Sequence, residues 1–427
     1  MSTATVAADT ELSIESRFLK DASVTSAECD APQSWLTKTV QQAVLRRLSR
    51  LQGGQIYLDD KCHRHVLGQP GPDELYATVT VNSPDFYRRL AAGGSLGAAE
   101  AYMDGQWDCD DLPGLVRIFS RNLDNLQSNG SRASVVTRTA VRAAHWLTRN
   151  TRAGSQRNIQ AHYDLGNQFF ELFLDPSMMY SAAMFDRSDM TLEDAQIARL
   201  DRVCQRLELL PSDHLVEIGT GWGGLAQHAA ANYGCRVTTA TISKNQYEYA
   251  VRRIASAGLQ HRVTVLLQDY RDLSGEFDKL VSLEMVEAVG PQFYDDYFAK
   301  CAQLLKPAGQ MLLQAIVMPE QRYAKYLKSV DFIQKYIFPG GSLPSITAMQ
   351  QSVARSSQLR LLAIDDFADG YARTLRAWRH RFHQRLDDVR KLGYPERFIR
   401  MWDYYFAYCE GAFEERAVGV VQAMWGR

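Results

Sequence analysis

Between residues 214 and 318 the chain repeats one pattern, in which a short apolar run is followed by a longer amphipathic stretch. Short apolar runs predict buried strands, and apolar residues every three or four positions predict helices packed on them. This alternation is typical of a doubly wound α/β sheet, which binds ligands at the carboxyl ends of its strands. The first predicted strand ends just before Gly219, and the others cover residues 236–242, 263–268, 279–284 and 310–318.

The remainder of the chain departs from this alternation. Residues 1–32 are small, polar and aperiodic, which predicts a disordered arm. Residues 33–125 predict a smaller mixed α+β domain, with a helix over 36–51 and a strand pair near 55–58 and 75–82. No cluster of nucleophile, base and metal ligands occurs in it, so we interpret it as a scaffold or substrate-handling domain. Residues 158–427 are assigned to catalysis, with an aromatic-rich insertion from 320 to about 355 and a helical block over 370–411.

The segment between these two predicted domains, residues 126–157, contains several arginines and no acidic residue. On a helix, Val136, Ala140, Ala143 and Leu147 share one face, and Arg138, Arg142 and Arg149 share the opposite one. Two interpretations remain open. The segment lies on an anionic membrane surface, where each basic residue contributes on the order of 1 kcal/mol, or it is a linker helix with its arginines in solvent.

The sequence HLVEIGTGWGGLAQ predicts a strand, a tight turn and the start of a helix. Glycines let the backbone adopt positive φ and approach a bound molecule closely. The turn contains Gly219, Gly221, Gly223 and Gly224. We therefore expect it to hold a nucleotide-like ligand.

Two ligands compete for this turn, nicotinamide dinucleotide and S-adenosylmethionine. A nicotinamide site needs a carboxylate at the end of the second strand to hold the ribose hydroxyls, and this chain has Thr241, Ile242 and Ser243 there. It offers instead Glu217 before the glycines, and Asp269 with Tyr270 after the third strand. This layout resembles a class I methyltransferase, with Asp269 and Tyr270 placed to meet the adenine. The expected fold class is thus α/β, a class I methyltransferase-like doubly wound sheet with a helical insertion and a smaller N-terminal α+β domain.

Composition restricts the partners. The formal net charge of −1 provides no overall attraction to nucleic acid, so none is expected as a partner. The seven cysteines are scattered without C-x-x-C spacing, which indicates reduced thiols and no metal site. No signal-like N-terminus and no run of 18 apolar residues is present, so we expect a cytoplasmic protein that does not span the membrane.

From about residue 94 to residue 427 the chain resembles the cyclopropane fatty acid synthase family. The motifs that carry the resemblance are GSLGAAEAYMDGQWDCDDL, AHYDLGNQFFELFLDPSMMYSAAMF, VEIGTGWGGLA, TISKNQ, LLQDYRDL, LEMVEAVG, KYIFPGGSLPSI and YYFAYCEGAF. The resemblance implies methyl transfer from S-adenosylmethionine to a cis double bond in the acyl chain of a membrane phospholipid, forming a cyclopropane ring. It also implies a peripheral location on the inner face of the membrane, and a homodimer is left open.

The resemblance implies particular site residues as well. A bicarbonate ion that acts as the base would be bound by Glu287, Tyr371 and Cys409. The cofactor would contact Tyr180, Ser181, Gly219, Gly221, Thr241, Gln246, Asp269 and Tyr270.

The chain departs from the bacterial synthase pattern at four positions. Ala182 stands where that pattern has cysteine, Gln314 and Ala288 stand where it has histidine, and Glu284 replaces a glycine. The versions of these motifs found here resemble plant cyclopropane synthases and bacterial relatives that make methylene- or methyl-branched chains. Both the binding of bicarbonate and a branched product as the alternative outcome therefore stay open.

Glu284 and Glu287 are candidate catalytic residues for this chemistry. Methylation of an alkene leaves a carbocation, so the pocket must exclude water, offer aromatic faces and contain a base. Two carboxylates three residues apart on one turn would raise the pKa of one of them. We expect Glu287 to anchor the base or the ion, and Glu284 to supply the polar contact that Gln314 and Ala182 no longer provide. The alternative for Glu284 is a helix cap or an ion pair with an arginine.

Other classes of protein are weighed against this one. A nucleic-acid methyltransferase would use the arginine segment, but the Asn/Asp-Pro-Pro-aromatic motif of amino-methylating enzymes is absent from the sequence. A small-molecule O- or N-methyltransferase would need a base aimed at a hydroxyl or an amine. A membrane-associated protein that binds the cofactor without catalysis is the remaining alternative.

Overall fold

The computed structural model describes residues 35–61, 63–123 and 165–427. The predicted disordered arm, residues 1–32, and the arginine segment, residues 126–157, lie outside these ranges. The division of the chain into domains near residues 125 and 158 therefore stays a prediction.

The described residues between 35 and 123 contain a four-stranded sheet, in the order β2-β1-β3-β4, with three helices. β1 runs parallel to β3 and antiparallel to β2. The predicted helix and the predicted strand pair are confirmed, whereas β2 was missed because most of its side chains are exposed and polar. The elements are α1 (Trp35–Leu48), β1 (Gly54–Asp60), β2 (His63–Gln69), β3 (Tyr76–Val81), α2 (Asp85–Met103), β4 (Trp107–Cys109) and α3 (Leu112–Arg121).

The second sheet has seven strands in the order β10-β11-β9-β8-β5-β6-β7. Five neighbouring strands of this sheet run parallel to one another, in the spatial order β9, β8, β5, β6 and β7. This arrangement confirms the predicted doubly wound sheet. The strands are β5 (His214–Ile218), β6 (Arg236–Thr241), β7 (Val263–Leu267), β8 (Phe277–Leu283), β9 (Leu305–Val317), β10 (Arg360–Asp366) and β11 (Gly419–Gly426).

Two strands of this sheet were not predicted. β11 pairs antiparallel with β9, and β10 pairs antiparallel with β11 at the edge. Both lie outside the strand–helix alternation that revealed the other five, β10 between the insertion and the helical block and β11 after that block. Their sequences show no clear alternation either, because β11 is buried on both faces and β10 is largely exposed.

Helices cover both faces of the second sheet, and the predicted insertion and helical block are confirmed. The glycine turn opens α6, which continues as a π-helix over Ala229–Tyr233. The insertion contains α9, a π-helix over Ile333–Ile337, and α10. The helices are α4 (Asn167–Glu171), α5 (Leu192–Arg206), α6 (Gly224–His228), α7 (Lys244–Ser256), α8 (Tyr294–Leu304), α9 (Glu320–Tyr326), α10 (Ile346–Ser356), α11 (Ala368–Gln384), α12 (Leu386–Lys391) and α13 (Glu396–Glu414).

The long helix α13 joins the two sheets. It packs against α2 and α3 on one side and against α11 on the other. One apolar core runs continuously from α1 to the start of β11, and it includes the fully buried Trp378, Trp402 and Phe406. The N-terminal sheet is thereby fixed against the helices that carry Tyr371 and Cys409.

Candidate active site

The glycine turn after β5 has the backbone geometry of a ligand site. Gly219, Gly221 and Gly223 adopt φ values of 104°, 51° and 82°, which residues with a side chain rarely take. A Cβ at Gly221 would meet nothing within 4 Å, so this residue faces open space. A Cβ at Gly224 would lie 2.6 Å from the carbonyl oxygen of Ser177, so that glycine instead allows the start of α6 to pack closely against the segment between α4 and α5. The turn therefore leaves room for a ligand next to Gly221.

Glu217 lies beneath this turn. Its side chain is buried, and its Oε2 accepts a 2.6 Å hydrogen bond from the hydroxyl of Thr239. Burial raises the pKa of Glu217 to about 8, and the hydrogen bond from Thr239 opposes this rise. The structure thus places Glu217 in a polar contact that supports the turn from the neighbouring strand β6.

The ends of β6 and β7 carry the next predicted cofactor residues. Thr241 and Gln246 are buried side by side, with the Thr241 hydroxyl donating to Gln246 Oε1 at 2.9 Å. The carboxylate of Asp269 accepts two hydrogen bonds from the Arg271 guanidinium, at 2.8 and 2.6 Å. Tyr270 packs edge-on against Tyr297. Thr241, Asp269 and Tyr270 lie at or just after strand ends, as predicted, whereas Gln246 lies in the first turn of α7.

Tyr180 and Ser181 belong to the segment between α4 and α5. The Tyr180 hydroxyl donates to the hydroxyl of Tyr405 at 3.0 Å. The hydroxyl of Ser181 accepts a 3.0 Å hydrogen bond from Nη2 of Arg199. This segment leads directly to Ala182, whose backbone reaches the second half of the site.

Glu284 is the centre of that second half. It follows β8 with a φ of 50°, a strained value for a residue with a side chain. Its Oε1 accepts hydrogen bonds from the Ala182 N–H at 2.8 Å and from Gln314 Nε2 at 2.7 Å. Its Oε2 accepts one from the Tyr371 hydroxyl at 2.7 Å. Burial raises the pKa of Glu284, while these three donors oppose the rise.

Glu287 lies one turn further along. Its Oε1 accepts a 2.6 Å hydrogen bond from the backbone N–H of Ile316, and its Oε2 has no partner among the described residues. Burial, followed by the charge of Glu284, raises the pKa of Glu287 to about 8. Glu284 receives three donors and Glu287 only one, so the hydrogen bonds favour the ionised form of Glu284 more strongly than that of Glu287.

The aromatic side chains around the site divide into groups. Tyr180, Phe338 and Tyr405 contact one another through a hydroxyl hydrogen bond and ring packing. The ring of Trp378 packs against both Tyr180 and Tyr371, and the Tyr371 hydroxyl donates to Glu284. Tyr404 and Tyr408 pack against Phe332. The Cys409 thiol lies near Tyr371 and Tyr405, and burial raises its pKa well above the ordinary range.

Two site residues were not predicted from the sequence, Gln196 and Arg199 on α5. Both are fully buried and both contact Ser181. In the sequence they lie within an amphipathic, charged helix, where glutamine and arginine normally face solvent. No motif distinguishes them from their neighbours.

Taken together, the doubly wound sheet, the open glycine turn and the polar residues at the strand ends define an S-adenosylmethionine-dependent methyltransferase. The chain belongs to the mycolic acid cyclopropane synthetase family, whose model matches residues 150–423. Membership confirms the predicted cofactor, S-adenosylmethionine, over nicotinamide, and confirms the resemblance found in the sequence.

Several relatives are similar over most of the chain. It is 38% identical to tuberculostearic acid methyltransferase UfaA1 of Mycobacterium tuberculosis, over 82% of this chain and 83% of that protein. It is 39% identical to the cyclopropane-fatty-acyl-phospholipid synthase of Escherichia coli, over 82% of this chain and 88% of that protein. The crystal structure of mycolic acid cyclopropane synthase CmaA1 complexed with SAH and CTAB covers 64% of this chain and 98% of its own, with 32% identity and a TM-score of 0.58.

Proposed function

We propose that this methyltransferase transfers the methyl group of S-adenosylmethionine to the cis double bond of an unsaturated phospholipid acyl chain, and that Glu284 is the base that takes up the released proton. Membership of the cyclopropane synthetase family supports methyl transfer to an unsaturated acyl chain. The three donors that converge on the carboxylate of Glu284 support the assignment of the base.

The hydrogen bonds to Glu284 argue against the bicarbonate ion that the sequence resemblance implies. Tyr371, which the resemblance assigned to the ion, already donates to Glu284 Oε2. Gln314, which replaces the family's histidine, and the N–H of Ala182 already donate to Oε1. A carboxylate presents two oxygens on a planar carbon, as bicarbonate does, so Glu284 satisfies the same donors from within the chain.

The backbone of Glu284 supports a functional role for its side chain. A positive φ at a residue other than glycine costs on the order of 1 kcal/mol or more, and such strain concentrates at functional sites. The bacterial synthase pattern has glycine at this position, where the same φ would cost little. This chain therefore tolerates strain at the position where it places a carboxylate.

The chemistry requires a cation-tolerant pocket and a base. Bound S-adenosylmethionine supplies the methyl group, and its transfer leaves a positive charge on the acyl chain. The faces of Tyr371, Tyr405 and Phe338 stabilise a cation without offering it a lone pair to react with. Glu284 then accepts a proton from the new methyl group, and the C–H electron pair closes the cyclopropane ring. Removal of a proton from a neighbouring chain carbon would instead leave a branched alkene.

The test supplies S-adenosylmethionine with a labelled methyl group and vesicles of either cis-unsaturated or fully saturated phospholipid. We expect label in the acyl chains of the unsaturated lipid only, with a mass gain of one CH2. Ozonolysis then separates the ring from the branched alkene, because only the alkene is cleaved. Label in the head group, or equal labelling of saturated lipid, would refute the assignment.

A phospholipid substrate also leads us to propose peripheral attachment to the membrane. None of the helices in the described residues has both the length and the apolar character that crossing a membrane requires. Retention on anionic liposomes, compared with retention on DNA at the same moderate salt concentration, tests this proposal. Preferential retention on DNA would contradict it.

A further inference from the structure

Arg199 is an arginine with an unusual environment. Its side chain is 0% exposed on α5, and it forms no ion pair among the described residues. Nη2 donates to the hydroxyl of Ser181 and to Oε1 of Gln196, whereas Nε and Nη1 have no partner there. Burying an unpaired guanidinium is energetically unfavourable. A residue kept at this cost is a candidate for a role in the site.

The hydrogen bonds of α5 reach Glu284 in two steps. Gln196 Nε2 donates to the carbonyl oxygen of Ser181 at 2.9 Å, and Arg199 binds the hydroxyl of the same serine. The next residue, Ala182, donates its N–H to Glu284 Oε1. One short segment therefore connects the buried arginine, a predicted cofactor contact and the proposed base.

The guanidinium of Arg199 and the carboxylate of Glu284 are also held near each other, because they contact the consecutive residues Ser181 and Ala182. The charged and titratable groups around Glu284 are Glu287 on its own loop, Arg199 from α5, Tyr371 from α11 and Tyr405 from α13. Arg199 is the cation of this set, and it attracts Glu284, Asp175 and Glu217. Burial lowers the pKa of Arg199 to about 10, so the guanidinium stays charged near neutral pH.

We propose that Arg199 is a positioning residue that holds the segment 181–182 against Glu284 and, through its buried charge, keeps the Glu284 carboxylate ionised for proton removal. This inference rests on the proposed role of Glu284 as the base. A buried cation close to a carboxylate favours the anion. Loss of the cation therefore makes Glu284 harder to ionise, and activity that needs the anion is lost at a higher pH.

The experiment measures kcat against pH, the affinity for S-adenosylhomocysteine and the thermal unfolding of five variants, one of which is Glu284→Gln. In Arg199→Gln we expect the acid limb of the kcat profile to move up by about one pH unit, a roughly tenfold loss of kcat on that limb. Arg199→Lys keeps the charge and should retain the wild-type limb. Gln196→Glu places a carboxylate beside the guanidinium and offsets its charge, so the acid limb of kcat should again move to higher pH. This variant tests the inference even if Arg199→Gln does not fold. Arg206→Gln is the control, because Arg206 lies on the same helix and pairs with Asp365.

The outcomes separate this inference from the proposed function. If folded Arg199→Gln and Gln196→Glu keep the wild-type acid limb while Glu284→Gln is inactive, the role of Arg199 is refuted and the base assignment stands. If Glu284→Gln retains wild-type kcat, the base assignment fails, and the role of Arg199 fails with it. An upward shift in Arg206→Gln equal to that in Arg199→Gln would also refute the inference.

Discussion

The two halves of the site are built in different ways. The cofactor half consists mainly of a strand end, a turn and a helix start that are close in sequence, from Glu217 to Gln246. The base half brings together Ala182, Glu284, Gln314 and Tyr371, which lie on segments far apart in the chain. The cofactor half depends on local backbone geometry, whereas the base half depends on side chains that only the complete fold assembles.

The two halves also differ in which residues adopt positive φ values. In the cofactor half Gly219, Gly221 and Gly223 adopt them, and glycine does so with little strain. In the base half Glu284 adopts a φ of 50° with a full side chain. We therefore expect substitutions in the cofactor half to lower the affinity for the cofactor. Substitutions in the base half should instead slow the chemical step.

The largest effect is expected from Glu284→Gln. The amide has nearly the same shape but cannot accept a proton, so kcat should fall by about a thousandfold, within the range for loss of a general base. The affinity for S-adenosylhomocysteine should stay within about twofold of wild type, because the carboxylate lies in the other half. Single-turnover methylation and calorimetric binding measure the two quantities. Wild-type turnover in this variant would show that Glu284 is not needed for the chemical step, and the proposed difference between the two halves would be wrong.

Gly221→Ala should act on the cofactor half. A Cβ at φ 51° introduces backbone strain and projects into the open space beside the turn. We expect affinity for S-adenosylhomocysteine to fall by about tenfold or more, since the added methyl group and the strain each cost on the order of 1 kcal/mol. Gly258→Ala is the matched control, because Gly258 has a φ of 69° and open space around its Cβ position, but follows α7. Equal losses of affinity in both variants would show that strain alone is responsible.

Tyr371→Phe should have a smaller effect with a characteristic pH dependence. It removes one donor to the Glu284 anion, so the pKa of Glu284, already raised by burial, rises further. Activity that requires the anion is lost as pH falls through that pKa, so the acid limb of kcat should move to higher pH and kcat on that limb should fall by about tenfold. Tyr102→Phe is the control, since Tyr102 is also buried and donates to the carboxylate of Asp403. That control should lower thermal stability and leave the limb unchanged.

The sequence predicted the residues of the cofactor half better than the contacts of the base half. Gly219, Thr241 and Asp269 were placed correctly at strand ends, because strand periodicity and glycine turns are local signals. No such local signal predicts the contacts of Glu284 or the burial of Arg199. They depend on how α5, β9 and α11 pack, and the sequence of α5 is that of an ordinary amphipathic helix.

The strand β11 illustrates the same limit at the level of the fold. Its Gln422 donates to Oε1 of Gln314 at 3.1 Å, which orients the Gln314 amide so that its nitrogen reaches Glu284. A strand that was not recognised in the sequence therefore contributes to the base half. The tertiary pairing of β11 with β9, rather than any motif, determines this contact.

We propose that in this enzyme a carboxylate of the chain itself takes the place of bicarbonate. The most direct measurement compares wild type and Glu284→Gly in buffer freed of carbon dioxide, with and without added bicarbonate. Glycine suits the φ of 50° and frees the Ala182 N–H, Gln314 and Tyr371 as donors. We predict that wild type is indifferent to bicarbonate, and that Glu284→Gly is inactive without it and regains activity when it is added. A wild-type enzyme that loses activity when bicarbonate is removed would contradict the claim.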